Sequence, residues 1–119
     1  SRIVTFGFEQ AGIPAVHVDS REVFLTDRRH TCARPVPETF ARLRERLPAL
    51  AGQGLVPVMG GFIGANEDGV TTTLGRGGSD YTASIVGVAI DAEEVQIWTD
   101  VDGILTCDPG LVSDTHLIR

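Results

Sequence analysis

The chain lacks several features that would place it in whole classes of protein. It has no apolar run close to the roughly 20 residues that a membrane-spanning helix needs, and no stretch that resembles a signal peptide. Its two cysteines, Cys32 and Cys107, lie far apart and form no Cys-x-x-Cys pair, which argues against a disulfide framework. We therefore expect a cytoplasmic protein with reduced thiols and no membrane partner.

Positive charge is also scarce. Ten basic residues against 16 acidic ones give a formal net charge of −6. An acidic surface repels nucleic-acid phosphates, so no nucleic-acid partner is expected. All ten basic residues are arginine, and a site that requires a lysine ammonium therefore cannot be completed by these 119 residues.

Metal-ligand spacing is missing as well. His17, His30 and His116 are scattered along the chain. The pair His30-x-Cys32 lacks two further ligands at zinc spacing. We expect no metal site built by this chain.

What remains is the size and pattern of one α/β domain at most. The chain has 119 residues, 42% of them hydrophobic, enough for one modest core. Helices are predicted over residues 1–10 and from Pro37, where Phe40, Leu43, Leu47 and Leu50 share one face and Pro48 is expected to bend or end the helix early. Short strands are predicted over residues 15–19, 22–26, 55–59 and 94–99, with a turn at 66–69 and a last helix over 81–92. The run at 55–59 is apolar without alternation, which indicates a buried strand of a parallel sheet covered on both faces.

Residues 71–82 hold the most informative motif of the chain. Three glycines in four positions surround Arg76 and lead into Ser79 and Asp80, either of which suits the N-cap of the helix that follows. Backbone N–H groups at such a helix N-terminus attract phosphates or carboxylates, and an arginine adds a bidentate fork. The motif therefore indicates a ligand-binding loop. A plain tight turn with Asp80 as a structural cap is the alternative.

Together with residues 61–64 before it and 98–104 after it, this motif resembles aspartate kinase, a family of the amino-acid kinase superfamily. The resemblance is specific over residues 56–114 and weaker over 1–55. It implies a three-layer αβα sandwich with a mainly parallel open sheet, as in carbamate kinase-like folds. Residues 1–119 would be the central part of one catalytic domain, incomplete at both ends and without a second domain.

The resemblance also implies a reaction and a set of site residues. An aspartate kinase transfers the γ-phosphoryl group of ATP to the side-chain carboxylate of L-aspartate, giving 4-phospho-L-aspartate on the way to lysine, threonine and methionine. Mg²⁺ would be held mainly through ATP, and the parent protein is expected to be a homo-oligomer. The implied substrate-binding residues are Phe62, Arg76, Ser79 and Asp80, with Asp80 also catalytic; the implied nucleotide-binding residues are Thr99, Asp100 and Leu105.

Two departures from the family pattern concern the nucleotide. Gly110 stands where many relatives have an arginine that meets the phosphates, and Leu105 stands where some have an aromatic residue. Thr99 and Asp100 also have a structural interpretation, as turn residues that end a strand. These points bear on ATP affinity and leave the expected fold unchanged.

Other functions are open to different degrees. The chain has no Gly-x-x-x-x-Gly-Lys-[Ser/Thr], Gly-x-Ser-x-Gly or Gly-x-Gly-x-x-Gly run, which disfavours Walker-type hydrolases, serine hydrolases and dinucleotide-binding enzymes. Acetylglutamate, glutamate and uridylate kinases share the superfamily architecture, and the Arg-Gly-Gly-Ser-Asp run favours aspartate among them. The alternative from a different class is a catalytically inactive amino-acid-binding or interaction module, which the missing lysine would support if these residues were the full gene product.

Overall fold

The computed structural model describes residues 1–99, 103–108 and 110–118. The described residues form four helices and four strands, in the order α1 (Arg2–Gln10), β1 (Ala15–Val18), α2 (Ser20–Val23), α3 (Pro37–Ala51), β2 (Val56–Met59), β3 (Ile63–Ala65), β4 (Thr71–Thr73) and α4 (Gly78–Ala89). This mixed order confirms the predicted α/β class. None of the described helices is both long and apolar enough to cross a bilayer.

Strands β1 and β2 form a parallel pair with α1, α3 and α4 around it. The register runs from Ala15 opposite Val56 to Val18 opposite Met59. Parallel strands need a crossover between them, and the long connection through α2 and α3 supplies it. β2 is only partly buried, and Val56 is 41% exposed, so the prediction of a fully buried strand was wrong. One reason is an open cleft that borders Pro57 and Met59.

Strands β3 and β4 form an antiparallel hairpin that leads into the glycine-rich loop. Ile63 pairs with Thr73 and Ala65 with Thr71. The turn between them follows the predicted chemistry: the Asn66 side-chain oxygen accepts hydrogen bonds from the backbone N–H groups of Asp68 and Val70, and Gly69 has a φ of 76°. The turn fixes the register of the hairpin, and with it the place where the glycine loop begins.

The core lies where α2, α3 and α4 meet. Phe24 and Leu43 are fully buried, and the core also contains Val18, Val23, Ala33, Leu47, Leu50, Leu74, Ile85 and Ala89. The predicted apolar face of α3 is confirmed, with Phe40 partly buried at its margin. The Arg44 Nε donates to the carbonyl of Ala89 at 3.0 Å, which ties α3 to the C-terminus of α4.

The structure corrects the predicted course of the chain in two of its helical segments. α3 continues through Pro48 to Ala51; burial of Leu47 and Leu50 on either side of the proline stabilises the last turn against the missing hydrogen bond. The strand predicted over residues 22–26 does not begin at 22, since residues 20–23 form a helical turn. The Asp19 carboxylate accepts from the Arg21 N–H at 3.0 Å and caps this turn.

A third correction concerns residues 94–99, which form no strand. Val95, Ile97 and Trp98 are 45%, 45% and 90% exposed. A strand needs a neighbour to satisfy its backbone groups and cover one face, and the described residues provide none for this segment. The sequence of this segment was therefore an insufficient signal for a strand.

Candidate functional site

The glycine-rich loop connects β4 to α4 through two left-handed glycines. Gly75 has a φ of 85° and Gly77 a φ of 73°. Gly77 is the N-cap of α4, so the prediction of Ser79 or Asp80 at that position was wrong. A glycine adopts the left-handed conformation at little cost. The helix begins at Gly78, two residues earlier than a Ser79 cap and three earlier than an Asp80 cap would have set. Ser79 and Asp80 instead lie in the first turn of the helix.

This arrangement leaves the polar side chains of the loop turned to solvent. Arg76, Ser79 and Asp80 are all exposed. Within the described part of the chain, the side chains of Arg76 and Asp80 take part in no ion pair or hydrogen bond. They carry opposite charges four positions apart, and Asp80 lies at the positive end of the α4 dipole. Both charges are thus available to a ligand.

A second loop, at residues 60–62 after β2, packs directly against the start of α4. A Cβ added at Gly61 would lie 3.0 Å from the Cα of Ser79, so the two backbones approach as closely as glycine allows. Phe62 has a φ of 74°, a conformation that non-glycine residues rarely adopt, and is 40% exposed. The structure therefore places Phe62 at the start of α4, where its backbone N–H donates to the Thr82 hydroxyl; a place for Phe62 beside a substrate stays a prediction.

A third segment, the loop at residues 27–35, holds the other end of the glycine loop. The His30 carbonyl accepts from the Thr73 N–H at 2.9 Å and from the Thr73 hydroxyl at 2.5 Å. A Cβ at Gly75 would lie 3.0 Å from the carbonyl oxygen of Thr31. Gly75 is therefore required twice, for its positive φ and for this close approach.

A cleft of about 520 Å³ opens beside these loops, between α3, α4 and β2. Gly61 and Ser79 border the cleft, and the rest of its lining is mostly apolar, with Leu47, Met59 and Val86 among its residues. An apolar lining does not suit a charged amino acid, so the polar ligand groups are best met at its rim, by the glycine loop.

The residues predicted to bind nucleotide come after α4 in the chain. Thr99 is exposed in an irregular segment, and Asp100 lies outside the described residues. Leu105 is half-buried in a β-bridge with Leu117. The roles of Thr99, Asp100 and Leu105 in nucleotide binding stay predictions.

Perturbed carboxyl groups lie away from the loop. The hydrogen bond from the Arg21 side chain, followed by that from the Arg21 backbone, lowers the pKa of Asp19 to about 2. The backbone N–H of Arg34 lowers the pKa of Asp27 below its usual range. Among the described residues, no group of three or more His, Cys, Asp or Glu side chains could hold a metal ion.

Sequence reasoning gave no role to three residues that shape the loop, namely His30, Thr73 and Thr82. Thr82 stood inside the motif, but its contacts depend on a residue 20 positions earlier. His30 and Thr73 are 43 positions apart. No local pattern indicates contacts of this kind, because they arise only when the two loops pack together.

Comparisons with known proteins agree with this geometry. Residues 1–119 match the sequence profile of the amino acid kinase family. The chain is 43% identical over 112 residues to an aspartate kinase of Pseudomonas fluorescens strain SBW25, covering 93% of the chain and 26% of that protein. It is 48% identical over 103 residues to lysine-sensitive aspartokinase 3 of Escherichia coli K12, covering 85% of the chain and 22% of that protein.

A solved structure gives the same answer in three dimensions. E. coli aspartokinase III in complex with aspartate and ADP superposes with a TM-score of 0.76 at 43% identity, over 93% of this chain and 25% of that one. The chain thus spans about a quarter of the length of the relatives it matches. Because the family profile covers every residue and the fold agrees, the chain belongs to the amino acid kinase family.

Proposed function

We propose that this chain forms the aspartate-binding part of an aspartate kinase. The full-length protein would transfer the γ-phosphoryl group of ATP to the side-chain carboxylate of L-aspartate, yielding 4-phospho-L-aspartate and ADP. The observation that carries the proposal is a pair of opposite charges, Arg76 and Asp80, on a glycine loop that opens a helix. Among the described residues neither side chain has an ion-pair or hydrogen-bond partner. The similarity to aspartokinases over most of the chain supports it.

In this proposal the two ends of the substrate are recognised separately. Arg76 binds a carboxylate through its planar two-donor fork. Asp80 attracts the ammonium and helps to organise the reacting groups, Ser79 adds a hydroxyl, and Phe62 lies beside the substrate. A zwitterion with an extra carboxylate fits such a pair better than a neutral ligand does.

The chemistry makes few demands on a base. Both carboxyl groups of aspartate are ionised at neutral pH, so a side-chain oxygen can attack phosphorus with no proton to remove, and ADP leaves with the electron pair. Catalysis then depends on positioning and on stabilising the charge of the transferred group. This chain has no lysine for the second task, and the proposal assigns that lysine to a segment outside these residues.

The remaining ligand and context assignments follow the same proposal. ATP, with Mg²⁺ held mainly through its phosphates, would contact Thr99, Asp100 and Leu105. The parent protein is proposed to be cytoplasmic and homo-oligomeric. Residues 1–119 would form the central part of one catalytic domain.

The test is a coupled ADP-release assay on the full-length gene product. Turnover that depends on aspartate supports the proposal, and no turnover at any aspartate concentration contradicts it.

Arg76→Lys keeps the charge and loses the two-donor fork, a loss of about 1.5–3 kcal/mol. The KM for aspartate should therefore rise at least tenfold, with little change in the KM for ATP. Arg46→Lys, on the exposed side of α3, is the matched control. Values within about twofold of wild type for Arg76→Lys would refute the role of Arg76.

One observation favours a second function. If these residues were the whole gene product, the absence of lysine would fit an inactive amino-acid-binding module. Such a protein would bind aspartate in a calorimetric titration without consuming ATP, and Arg76→Lys would weaken that binding.

A further inference from the structure

The hydroxyl of Thr82 connects the two loops that meet at the candidate site. It accepts a hydrogen bond from the Phe62 N–H at 3.1 Å and donates one to the Gly78 carbonyl at 2.6 Å. Thr82 is only 3% exposed, so water does not replace either bond easily. We propose that Thr82 is a positioning residue for aspartate, an inference that rests on the function proposed above.

The partner of Thr82 is held in an unusual conformation. Phe62 has a φ of 74°, which sterically disfavours any residue with a Cβ. Its N–H reaches Thr82 and its carbonyl accepts from the Leu74 N–H at 2.9 Å. A strained residue persists only where the surrounding structure holds it in place. Here the hydrogen bonds of the Phe62 N–H and carbonyl hold it.

The consequence is a clamp across the ligand loop. Leu74 and Thr82 lie on either side of the segment that carries Arg76 and Asp80. The backbone of Phe62 bonds to both of them, through its carbonyl to Leu74 and through its N–H to Thr82. Gly78, whose carbonyl Thr82 also holds, lies between those two charged residues. The distance between the charges thus depends on the Thr82 hydroxyl.

Close packing prevents the loops from adjusting by another route. A Cβ at Gly78 would lie 2.9 Å from both the Leu74 Cβ and the Phe62 Cδ2, and one at Gly61 would lie 3.0 Å from the Ser79 Cα. Once the hydroxyl is lost, the Phe62 N–H is left without a partner in a space too tight for an easy substitute. The loops are expected to separate, and Arg76 and Asp80 to lose their relative placement.

The experiment compares Thr82→Val, Thr82→Ser and Thr39→Val in the full-length gene product. Valine has the shape of threonine without the hydroxyl. Thr39 is a matched control because it lies on α3, away from the loop, and is fully buried. Its hydroxyl also donates to a backbone carbonyl, that of Leu25. For Thr82→Val we expect kcat/KM for aspartate to fall at least tenfold, with the KM for ATP within twofold. Thr82→Ser should restore kcat/KM for aspartate to within about threefold of wild type.

Three results would overturn the inference: a change below twofold in Thr82→Val, an equal loss in Thr39→Val, or no rescue by serine. Should Thr82→Val not fold, hydrogen exchange on the wild-type protein decides. Aspartate should slow exchange of the Phe62 and Leu74 amides at least tenfold, and unchanged rates would refute the clamp. Wild-type protein without aspartate-dependent turnover would instead refute the proposed function.

Discussion

Replacing Gly78 by alanine tests whether the two loops are as closely packed as the structure indicates. Gly78 is the first residue of α4 and is buried. An alanine Cβ would lie 2.9 Å from the Leu74 Cβ and 2.9 Å from the Phe62 Cδ2. The Phe62 ring can move, but the Leu74 Cβ is fixed to the backbone. The loop must therefore shift to make room.

The magnitude follows from two opposing effects. Overpacking a site of this kind costs about 1–3 kcal/mol. Alanine in a helix gains about 0.5–1 kcal/mol over glycine. The net result for Gly78→Ala is a loss of up to about 2.5 kcal/mol. The KM for aspartate should also rise, because the displaced Phe62 and Leu74 flank the ligand loop.

Gly7 offers a control with the opposite sign. It lies inside α1, is exposed, and a Cβ there meets no atom within 4 Å. Gly7→Ala should therefore gain about 0.5–1 kcal/mol and leave the KM for aspartate unchanged. Urea unfolding midpoints at constant slope, with steady-state kinetics on the same preparations, check both variants. A Gly78→Ala variant as stable as Gly7→Ala would refute the close packing.

Three further predictions address the ends of the site and the ion pair. The 119-residue chain alone should show no aspartate-dependent ADP release, since losing one charge-stabilising group already costs on the order of 100- to 1000-fold; measurable turnover would contradict this. Asp100→Ala in the full-length protein should raise the KM for ATP and leave that for aspartate alone, whereas a lower melting temperature with both constants unchanged would make Asp100 structural. Because the pKa of Asp19 is lowered to about 2 from 3.8, its ion pair stabilises the fold above about pH 4 and is lost as the pH falls towards 2. Asp19→Asn keeps a good N-cap and should remove up to about 1 kcal/mol of that pH-dependent stability, measured by urea midpoints between pH 5 and 2.

Elements whose signal is local could be predicted from the sequence. Pro37 at the first turn and the apolar spacing of Leu43, Leu47 and Leu50 determine α3, and Asn66 with Gly69 determines the hairpin turn. Pro48 was misjudged because propensity is weaker than the burial around it. The segment 94–99 was misjudged because a strand depends on a neighbour that sequence does not supply.

The candidate site divides in the same way. The residue types and their spacing predict the loop, since Arg76 and Asp80 add opposite charges to a glycine-rich segment that leads into a helix. The positions of the loops relative to one another could not be predicted. They depend on the Phe62 backbone meeting Thr82 and Leu74, and a positive φ at a phenylalanine has no signature in sequence.

The proposed reaction also gives a reason for the close packing beneath the loop, although its charges are exposed. Arg76 and Asp80 would bind an amino acid that is itself well hydrated, so their net contribution depends on how little they must reorganise when it arrives. Gly61 and Gly78 remove the side chains that would separate the two loops, and the Thr82 hydroxyl joins them. Positioning is the main source of catalysis for phosphoryl transfer. A glycine-rich loop that is held in place before the substrate binds therefore fits a division of roles. In that division this chain selects and orients the acceptor carboxylate, and the lysine assigned to another segment neutralises the transferred group.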